Sequence, residues 1–142
     1  MPSTHDWRPQ PSKVWGVEAN TWLWILAGFL AALFLGTGVL KLTRSRDEIV
    51  AEGLTWAEDY SEPQLRALGW AEVLGAVGLV VPPLLGVGII TPIAASCLTV
   101  LTAGALVVHV RRREFLPESV RTIALIVMCV VLAYWRFGPE AF

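Results

Sequence analysis

Charged residues and cysteines are scarce in this chain, and each shortage excludes a class of protein. Charges make up 16% of the 142 residues, whereas soluble domains carry about 25%. Eleven basic against twelve acidic residues leave no basic excess that would bind a nucleic acid. Two isolated cysteines exclude a disulfide scaffold and a CxxC metal or redox motif. The chain also lacks a Rossmann glycine fingerprint and a pair of haem-ligating histidines, so redox chemistry on a cofactor of its own is not expected.

Apolar residues are abundant instead, and they fall into long runs. They account for 55% of the chain, and the mean hydropathy is +0.59. A helix of about 17–25 apolar residues crosses the hydrocarbon core of a bilayer, whereas an isolated strand would leave its backbone groups without partners in lipid. The runs have almost no polar face, which a soluble helix would need. We therefore predict an all-α fold, an integral membrane four-helix bundle with four transmembrane spans at about 22–41, 64–81, 92–110 and 119–136.

Prolines and hydroxyl residues mark the expected ends of these helices. Pro82 and Pro83 are expected to end the second helix, and Thr91 and Pro92 to begin the third. Pro117 is expected to open the fourth in the same way. This punctuation divides the chain into three parts: a tail over 1–21, a transmembrane domain over 22–139 and a C-terminal end over 140–142.

The N-terminal tail combines prolines with tryptophans. Pro2, Pro9 and Pro11 favour an extended backbone, and the tail has no apolar region typical of a cleavable signal peptide. The indoles of Trp7 and Trp15 favour an apolar surface, so both residues are candidates for docking to a lipid interface or a partner protein. The alternative is a loosely ordered chain end without a partner.

The basic residues predict the orientation in the membrane. Three of them lie on the side that holds both termini and the 82–91 connection, and eight lie on the opposite side. Cytoplasmic loops carry an excess of lysine and arginine. We therefore expect a multi-pass protein of the inner (plasma) membrane, with the loops at 43–64 and 111–118 in the cytoplasm and both termini outside.

Three ionisable side chains from three helices are expected at a similar depth near the cytoplasmic side. Lys41 ends the first helix, Glu72 lies about two turns into the second, and His109 ends the third. A charge at mid-bilayer costs about 2.5–3.5 kcal/mol on insertion scales, so such groups usually face the bundle or a polar cavity. Gly38 beside Lys41 and Gly69 beside Glu72 allow another helix to approach closely. We therefore predict a polar cluster of Lys41, Glu72 and His109.

Each member of this cluster also has a simpler explanation. Lys41 can extend its amine to the lipid headgroups, and His109 can be an ordinary interfacial residue before the arginines at 111–113. The Glu72 side chain is too short to reach the headgroups, and a pair with Lys41 or His109 would keep it ionised. Such a pair can be structural rather than functional, so both interpretations stay open.

The two cysteines are expected at a similar depth in neighbouring helices. Cys97 lies in the third helix and Cys129 in the fourth. Buried cysteines among apolar side chains are usually inert, and the sequence leaves open whether these two pair.

Six motifs follow one another along the chain: GTGVLKL (36–42), Trp56 in the first loop, LGWAEVLGAVGLVVP (68–82), TPIAA (91–95), AGALVVHVRR (103–112) and WRFGP (135–139). Their order resembles the DoxX-like family of small four-helix membrane proteins. The resemblance covers about residues 22–139 and leaves the tail outside. It implies a four-helix bundle and places Lys41, Glu72, His109 and Arg136 at the characteristic polar positions of the family.

The resemblance implies more than one kind of function. The family takes its name from a subunit associated with a terminal quinol oxidase. Relatives include the membrane subunit of a thiosulfate:quinone oxidoreductase, members of oxidative-stress complexes and a distant animal chaperone for acetylcholine receptors. We therefore expect an accessory or assembly subunit of a larger membrane complex, of a respiratory or other electron-transfer type. Its expected partners are the lipid bilayer and other membrane subunits or copies of itself.

A quinone- or lipid-binding oxidoreductase subunit is the alternative. In it, Glu72 and His109 would relay protons to a quinone between the helices, while Lys41 and arginines steady its oxygens. A small-solute transporter is a weaker alternative, because four short helices without an inverted repeat do not resemble known transporters.

Overall fold

A computed structural model describes residues 11–142, with side chains from Glu18 onward. These residues form helices and turns and contain no strand. Four segments are long and apolar enough to cross a membrane, at Glu18–Thr43, Glu62–Leu84, Ile90–Arg111 and Phe115–Phe137. The predicted all-α bundle of four transmembrane helices is confirmed. Its helices are α1 (Pro11–Thr43), α2 (Arg46–Ala51), α3 (Glu62–Leu84), α4 (Ile90–Arg111) and α5 (Val120–Phe137), with a 3-10 helix at Thr55–Asp59. The segment Phe115–Ser119 before α5 is kinked, because the backbone of Leu116 is extended.

The first helix is longer than the sequence indicates. It begins at Pro11, so residues 11–21, expected to be extended, are helical. Proline is accepted in the first helical turn because its missing N–H has no intrahelical partner there. The next proline is Pro63, so nothing in between interrupts the helix. Residues 1–10, which include Trp7, lie outside the described part of the chain.

The junction between α3 and α4 shows why two prolines do not end α3 where expected. The helix continues through Pro82 and Pro83 to Leu84. Pro83 has no N–H to donate to the carbonyl of Leu79, and the buried hydroxyl of Thr91 donates to this carbonyl instead, at 3.1 Å. Thr91, expected to cap α4, thus lies inside its first turn and completes the helix before it.

The four long helices form an antiparallel ring. α1 packs mainly against α3, α3 against α4 and α4 against α5, while the contact of α5 with α1 closes the ring. One end of the bundle, here the terminal end, holds the start of α1 and the end of α5. The opposite end, here the cap end, holds the connection from α1 to α3. The core between the helices contains large apolar side chains from all four: Leu23, Leu30, Phe34, Leu79, Leu98 and Leu132.

Two glycines set the distance between α1 and α3. A Cβ atom on Gly38 would lie 2.9 Å from the carbonyl oxygen of Gly69, and one on Gly69 would lie 2.9 Å from the carbonyl oxygen of Gly38. The two backbones therefore touch, which only residues without a side chain allow. Because Lys41 is one turn after Gly38 and Glu72 one turn after Gly69, this crossing brings their side chains together.

Residues 44–61 form a small cap at the cap end rather than an open loop. Ser45 begins α2 with a reciprocal capping box, in which its hydroxyl accepts from the Glu48 N–H and the Glu48 carboxylate accepts from the Ser45 N–H. Ile49 and Ala57 of the cap are fully buried against Leu65 of α3. This second core fixes the cap to the bundle and holds it over the end of α1.

Exchanging each of two nearby glycines for alanine tests the crossing. We expect Gly38→Ala to lower the unfolding free energy by about 1–3 kcal/mol, because the new methyl group pushes against the α3 backbone. Gly36→Ala is the matched control, since a Cβ there meets nothing within 4 Å. Denaturation in mild detergent, followed by circular dichroism, compares the two. Equal stabilities would contradict a tight crossing at Gly38.

Candidate functional site

A buried ion pair joins α1 to α3 near the cap end. Lys41 donates from Nζ to both carboxylate oxygens of Glu72, at 2.9 Å to Oε1 and 2.8 Å to Oε2. The two side chains are 9% and 12% exposed. Burial of a carboxylate this far from water is costly unless such a partner compensates for the lost hydration. The structure thus brings together two of the three residues of the predicted cluster.

Two further side chains complete the environment of the pair. The hydroxyl of Thr37, one turn before Lys41, donates to Glu72 Oε2 at 2.9 Å. Trp56 of the cap lies over the amine, with 5.3 Å between Lys41 Nζ and the ring centroid. A cation over an indole face is stabilised by the ring quadrupole, so Trp56 both covers the Lys41 amine and stabilises its positive charge. Glu72 consequently has three hydrogen bonds from α1, and Lys41 has a carboxylate and an aromatic face.

His109 belongs to a second ionic network, separate from this pair. Its Nδ1 lies 2.8 Å from Glu114 Oε2. Arg112 donates from Nε to the other Glu114 oxygen at 2.9 Å and from its terminal nitrogens to Asp59 and Glu58 of the cap, at 3.0 and 3.3 Å. Among the described residues, His109 has no hydrogen bond to Glu72, so its partner is the loop carboxylate. This network ties the end of α4 to the cap.

The same network changes the acidity of Glu114, which lies between the third and fourth spans. The hydrogen bond with His109 is the largest influence and lowers the pKa of the carboxyl, and the bond from Arg112 adds to it. Partial burial opposes both effects but does not outweigh them. Glu114 is therefore a carboxylate whose charge holds two cationic or polar partners in place.

Arg136 forms a third polar centre, at the terminal end. Only 3% of it is exposed. Its Nη1 donates to Asn20 Oδ1 at 2.8 Å and to the carbonyl oxygen of Glu140 at 3.0 Å. The guanidinium lies against two rings, with 3.8 Å from Cζ to the centroid of Phe142 and 5.8 Å to that of Trp24. Its Nε and Nη2 are buried without an acceptor among the described residues, and each such donor costs about 1–3 kcal/mol.

The remaining candidates play smaller parts in the described structure. Cys97 and Cys129 are both free thiols, and Cys97 is exposed on α4 whereas Cys129 is fully buried in the core. Trp15 falls within α1, but its side chain, like Trp7, lies outside the described residues. Docking by these two tryptophans stays a prediction.

Three partners lie outside the expected polar cluster, and two of them leave no local signal in the sequence. Thr37 is detectable, because it lies one turn before Lys41 on the same helix face. Glu114 is not, because it meets His109 through a turn beyond the end of α4. Asn20 is 116 positions from Arg136, and only the closure of the ring places them side by side.

The chemistry of these centres differs. The Lys41–Glu72 pair is internally neutral and saturated, which suits structural stabilisation more than proton transfer. The His109–Glu114–Arg112 network is a bridge between elements. Arg136 keeps two unused donors on a fully buried cation, whereas the half-buried Arg46 of the cap keeps one, its Nε, among the described residues. No group of three His, Cys, Asp or Glu side chains among the described residues is arranged to hold a metal ion.

Comparison with known proteins identifies the family. The model of the DoxX-like family matches residues 25–133, which is most of the chain. The match includes Lys41, Glu72 and His109, and it ends just before Arg136. No curated protein and no solved structure matches the chain.

A double-mutant cycle tests whether the buried pair is coupled. We expect Glu72→Gln and Lys41→Met to cost about 3–5 kcal/mol each, because either change leaves an unpaired charge in the bundle. The double variant should lose clearly less than the sum, and unfolding in mild detergent measures all four proteins. The exposed pair Arg66–Glu62 is the matched control, and the same cycle there should be additive. Additive losses at Lys41 and Glu72 would show that the buried residues do not couple.

The lowered pKa of Glu114 predicts a specific dependence of stability on pH. A depressed folded-state pKa stabilises the fold fully above the ordinary carboxyl value of about 4.3, and the contribution disappears as the pH falls through the folded value. We therefore expect Glu114→Gln to flatten the acid limb of a plot of melting temperature against pH. Glu118→Gln, which removes a carboxylate paired only with an exposed arginine, should leave the limb unchanged. An unchanged limb in Glu114→Gln would contradict the role of the network.

Proposed function

The chain belongs to the DoxX-like family of membrane proteins, and from this premise we propose that it is an accessory or assembly subunit of a larger membrane complex. The complex would be respiratory or otherwise electron-transferring. In this role the chain binds other membrane-spanning helices and performs no independent chemistry. Its environment is the lipid bilayer, which the four apolar spans require.

The main observation behind the proposal is where charged and apolar side chains lie: the charged ones deepest in the spans face the inside of the bundle and large apolar ones face outward. The intramembrane charges, Lys41 and Glu72, face each other and are satisfied within the chain. The outward surface of the helices is apolar, with large exposed side chains along every span, such as Ile25, Leu74, Val100 and Val127. A bundle that pairs the charges deepest in its spans and keeps little structure outside the membrane is suited to contacts with other helices.

The outward face of α1 supports such contacts. Gly28, Ala32 and Gly36 follow one another at intervals of four residues and are all exposed. A Cβ on Gly28 or Gly36 would meet nothing within 4 Å, so this face is open inside the chain itself. Small residues at this spacing let a second helix approach a backbone closely in a membrane. α1 thus has one small-residue face used for α3 and another free for a partner.

One observation favours the quinone-binding alternative. Lys41 contacts both the ring of Trp56 and the carboxylate of Glu72, so an aromatic face, an amine and a carboxylate lie at one place. The relay has less support than assembly, because both carboxylate oxygens are occupied and His109 is paired with Glu114. The double variant Lys41→Met/Glu72→Gln separates the two functions: assembly would survive in a folded protein, whereas quinone-linked turnover would be lost. No described feature favours solute transport.

The location and orientation in the cell are part of the proposal. The excess of basic residues at the cap end supports an inner (plasma) membrane protein whose cap faces the cytoplasm. The terminal end, with Arg136, would then face outward. Labelling of single cysteines placed at either end reports which side is accessible.

The outward face of α1 can be tested without disturbing the fold. A photo-crosslinking residue in place of Phe29, an exposed ring that flanks the Gly28–Gly36 face of α1, should capture a membrane-spanning partner in native membranes, because it replaces a side chain that is already large. Gly36→Leu should abolish the larger species that a mild-detergent extract shows on a native gel, because the leucine blocks close approach. The bundle itself should stay folded, since the site has space on all sides.

Val100→Leu is the control, because Val100 is 75% exposed on α4 and lies away from this face. We expect it to keep both the crosslink and the larger species. A wild-type chain that migrates as a lone bundle and crosslinks only to lipid would overturn the proposal, as would a Gly36→Leu variant that retains the complex.

A further inference from the structure

The unused donors of Arg136 have a defined geometry. In a guanidinium group the Nε–H and one N–H of Nη2 point in parallel along the same edge, and this edge accepts two oxygens of one oxyanion side by side. Nε and Nη2 are the atoms of Arg136 that lack acceptors among the described residues. The opposite nitrogen, Nη1, is already held by Asn20 and by the Glu140 carbonyl. The bound edge fixes the orientation, and the free edge is left for a ligand.

Among the described residues, Arg136 also forms no ion pair, and the Glu140 carboxylate attracts it only from beyond hydrogen-bond distance. The ion pairs among residues 18–142 involve other arginines, namely Arg44, Arg66, Arg112 and Arg121. Both acceptors of Arg136 are neutral, an amide oxygen and a backbone carbonyl. The rings of Phe142 and Trp24 cover the faces of the cation but accept no hydrogen bond along its edge. A buried cation of this kind favours an anion that supplies two oxygens.

The position of the site indicates where the anion comes from. Arg136 is in the last turn of α5, at the end of the span Phe115–Phe137, where the helix leaves the hydrocarbon. Trp22, Tyr134 and Trp135 are exposed at this level, as aromatic residues at a membrane interface usually are. Phospholipid headgroups border the hydrocarbon core, so a residue at the end of a span is within reach of their phosphates. Leu84 and Leu85, exposed by 68% and 75%, provide apolar surface for acyl chains nearby.

We infer that Arg136 is a phosphate-binding residue, whose Nε and Nη2 donate to two oxygens of one phosphate group. The phosphate belongs to a phospholipid headgroup or to a free phosphate ion, and the chemistry of recognition is the same for both. The site is at the opposite end of the bundle from Lys41, Glu72 and His109. It does not rest on the proposed assembly function, because binding is measured on the isolated chain.

A short C-terminal segment covers the site. Residues 138–142 fold back over α5, where the Glu140 N–H donates to the Trp135 carbonyl and Arg136 holds the Glu140 carbonyl. Phe142 then packs on the guanidinium and against Gly88, at a place where any side chain on residue 88 would overlap it. Because Nε and Nη2 have no accessible surface, a phosphate enters only when this segment moves aside. The cover therefore controls access to the arginine.

Binding to the purified full chain in a maltoside detergent tests the inference. The probes are dioctanoylphosphatidylglycerol, dioctanoylglycerol, which has no phosphate, and sodium phosphate. Native mass spectrometry counts bound lipid, and the fluorescence of tryptophan, with Trp24 beside the site, gives the dissociation constant. We expect the phospholipid to bind and the diacylglycerol not to bind. Arg136→Lys should weaken binding about tenfold or more, because lysine keeps the charge but loses the parallel donors.

Two variants keep the arginine and change only the cover. Phe142→Ala and Gly88→Ala should both raise the affinity several-fold, since each displaces the ring from the guanidinium. Arg121→Lys is the control, because Arg121 is exposed and paired with Glu118 at the cap end, and its binding should equal that of wild type. Because these two variants keep Arg136, they test whether phosphate binds there even if Arg136→Lys fails to fold.

Each outcome has a definite meaning. Tight binding of phosphatidylglycerol that Arg136→Lys weakens supports a headgroup site. Sodium phosphate that binds as tightly as the lipid, with the same loss, supports a site for free phosphate. Binding that neither Arg136→Lys nor the two cover variants change would overturn the inference, and so would a wild-type chain that binds none of the phosphates.

Discussion

The close crossing of α1 and α3 is the constraint on which most of the structure depends. At Gly38 and Gly69 the backbones touch, and one turn further along each helix the side chains of Lys41 and Glu72 meet. Glu72 lies ten residues beyond the start of α3 at Glu62, or ~15 Å at 1.5 Å per residue, which is deep for a charge. The two glycines let the helices approach closely, and the close approach lets Lys41 offset the cost of burying the Glu72 carboxylate in a low-dielectric interior.

The two ends of the bundle handle their polar groups differently. At the cap end, cations and carboxylates are paired: Lys41 with Glu72, and His109 and Arg112 with Glu114. The cap adds Trp56 over the amine and two acidic residues for Arg112. At the terminal end, Arg136 is buried among neutral acceptors and aromatic rings. The paired charges of the cap end suit a structural role, whereas a fully buried cation with two donors left free among the described residues is a reason to expect a ligand.

The structure brings together two residues of the expected polar cluster and separates the third, and the separation has a physical cause. Helical spacing places Lys41 and Glu72 each beside a glycine that admits another helix, and in the structure their side chains meet. His109 was placed with them because it ends α4 at the same depth, yet depth does not fix the direction of a side chain around the helix axis. The turn after Arg112 brings the Glu114 carboxylate back to His109, and the sequence of that turn has no hydrophobic periodicity that would predict its conformation. Cap formation was missed too, although Ser45 followed by Glu48 is a recognisable capping box.

The sequence alone determined that this is a four-helix membrane protein, because an apolar run of this length can satisfy its backbone groups in lipid only as a helix. The ordered motifs also indicated the DoxX-like family, which the family model shows over residues 25–133. It also determined which residues lie at polar depths, since rise per residue is constant along a helix. Only the tertiary structure decided which of them meet. Packing between distant segments sets the rotation of each helix. It also brings Asn20 to Arg136 across 116 positions of the sequence and places Phe142 over the guanidinium. Local patterns carry no information about such contacts, because they arise when the ring of helices closes.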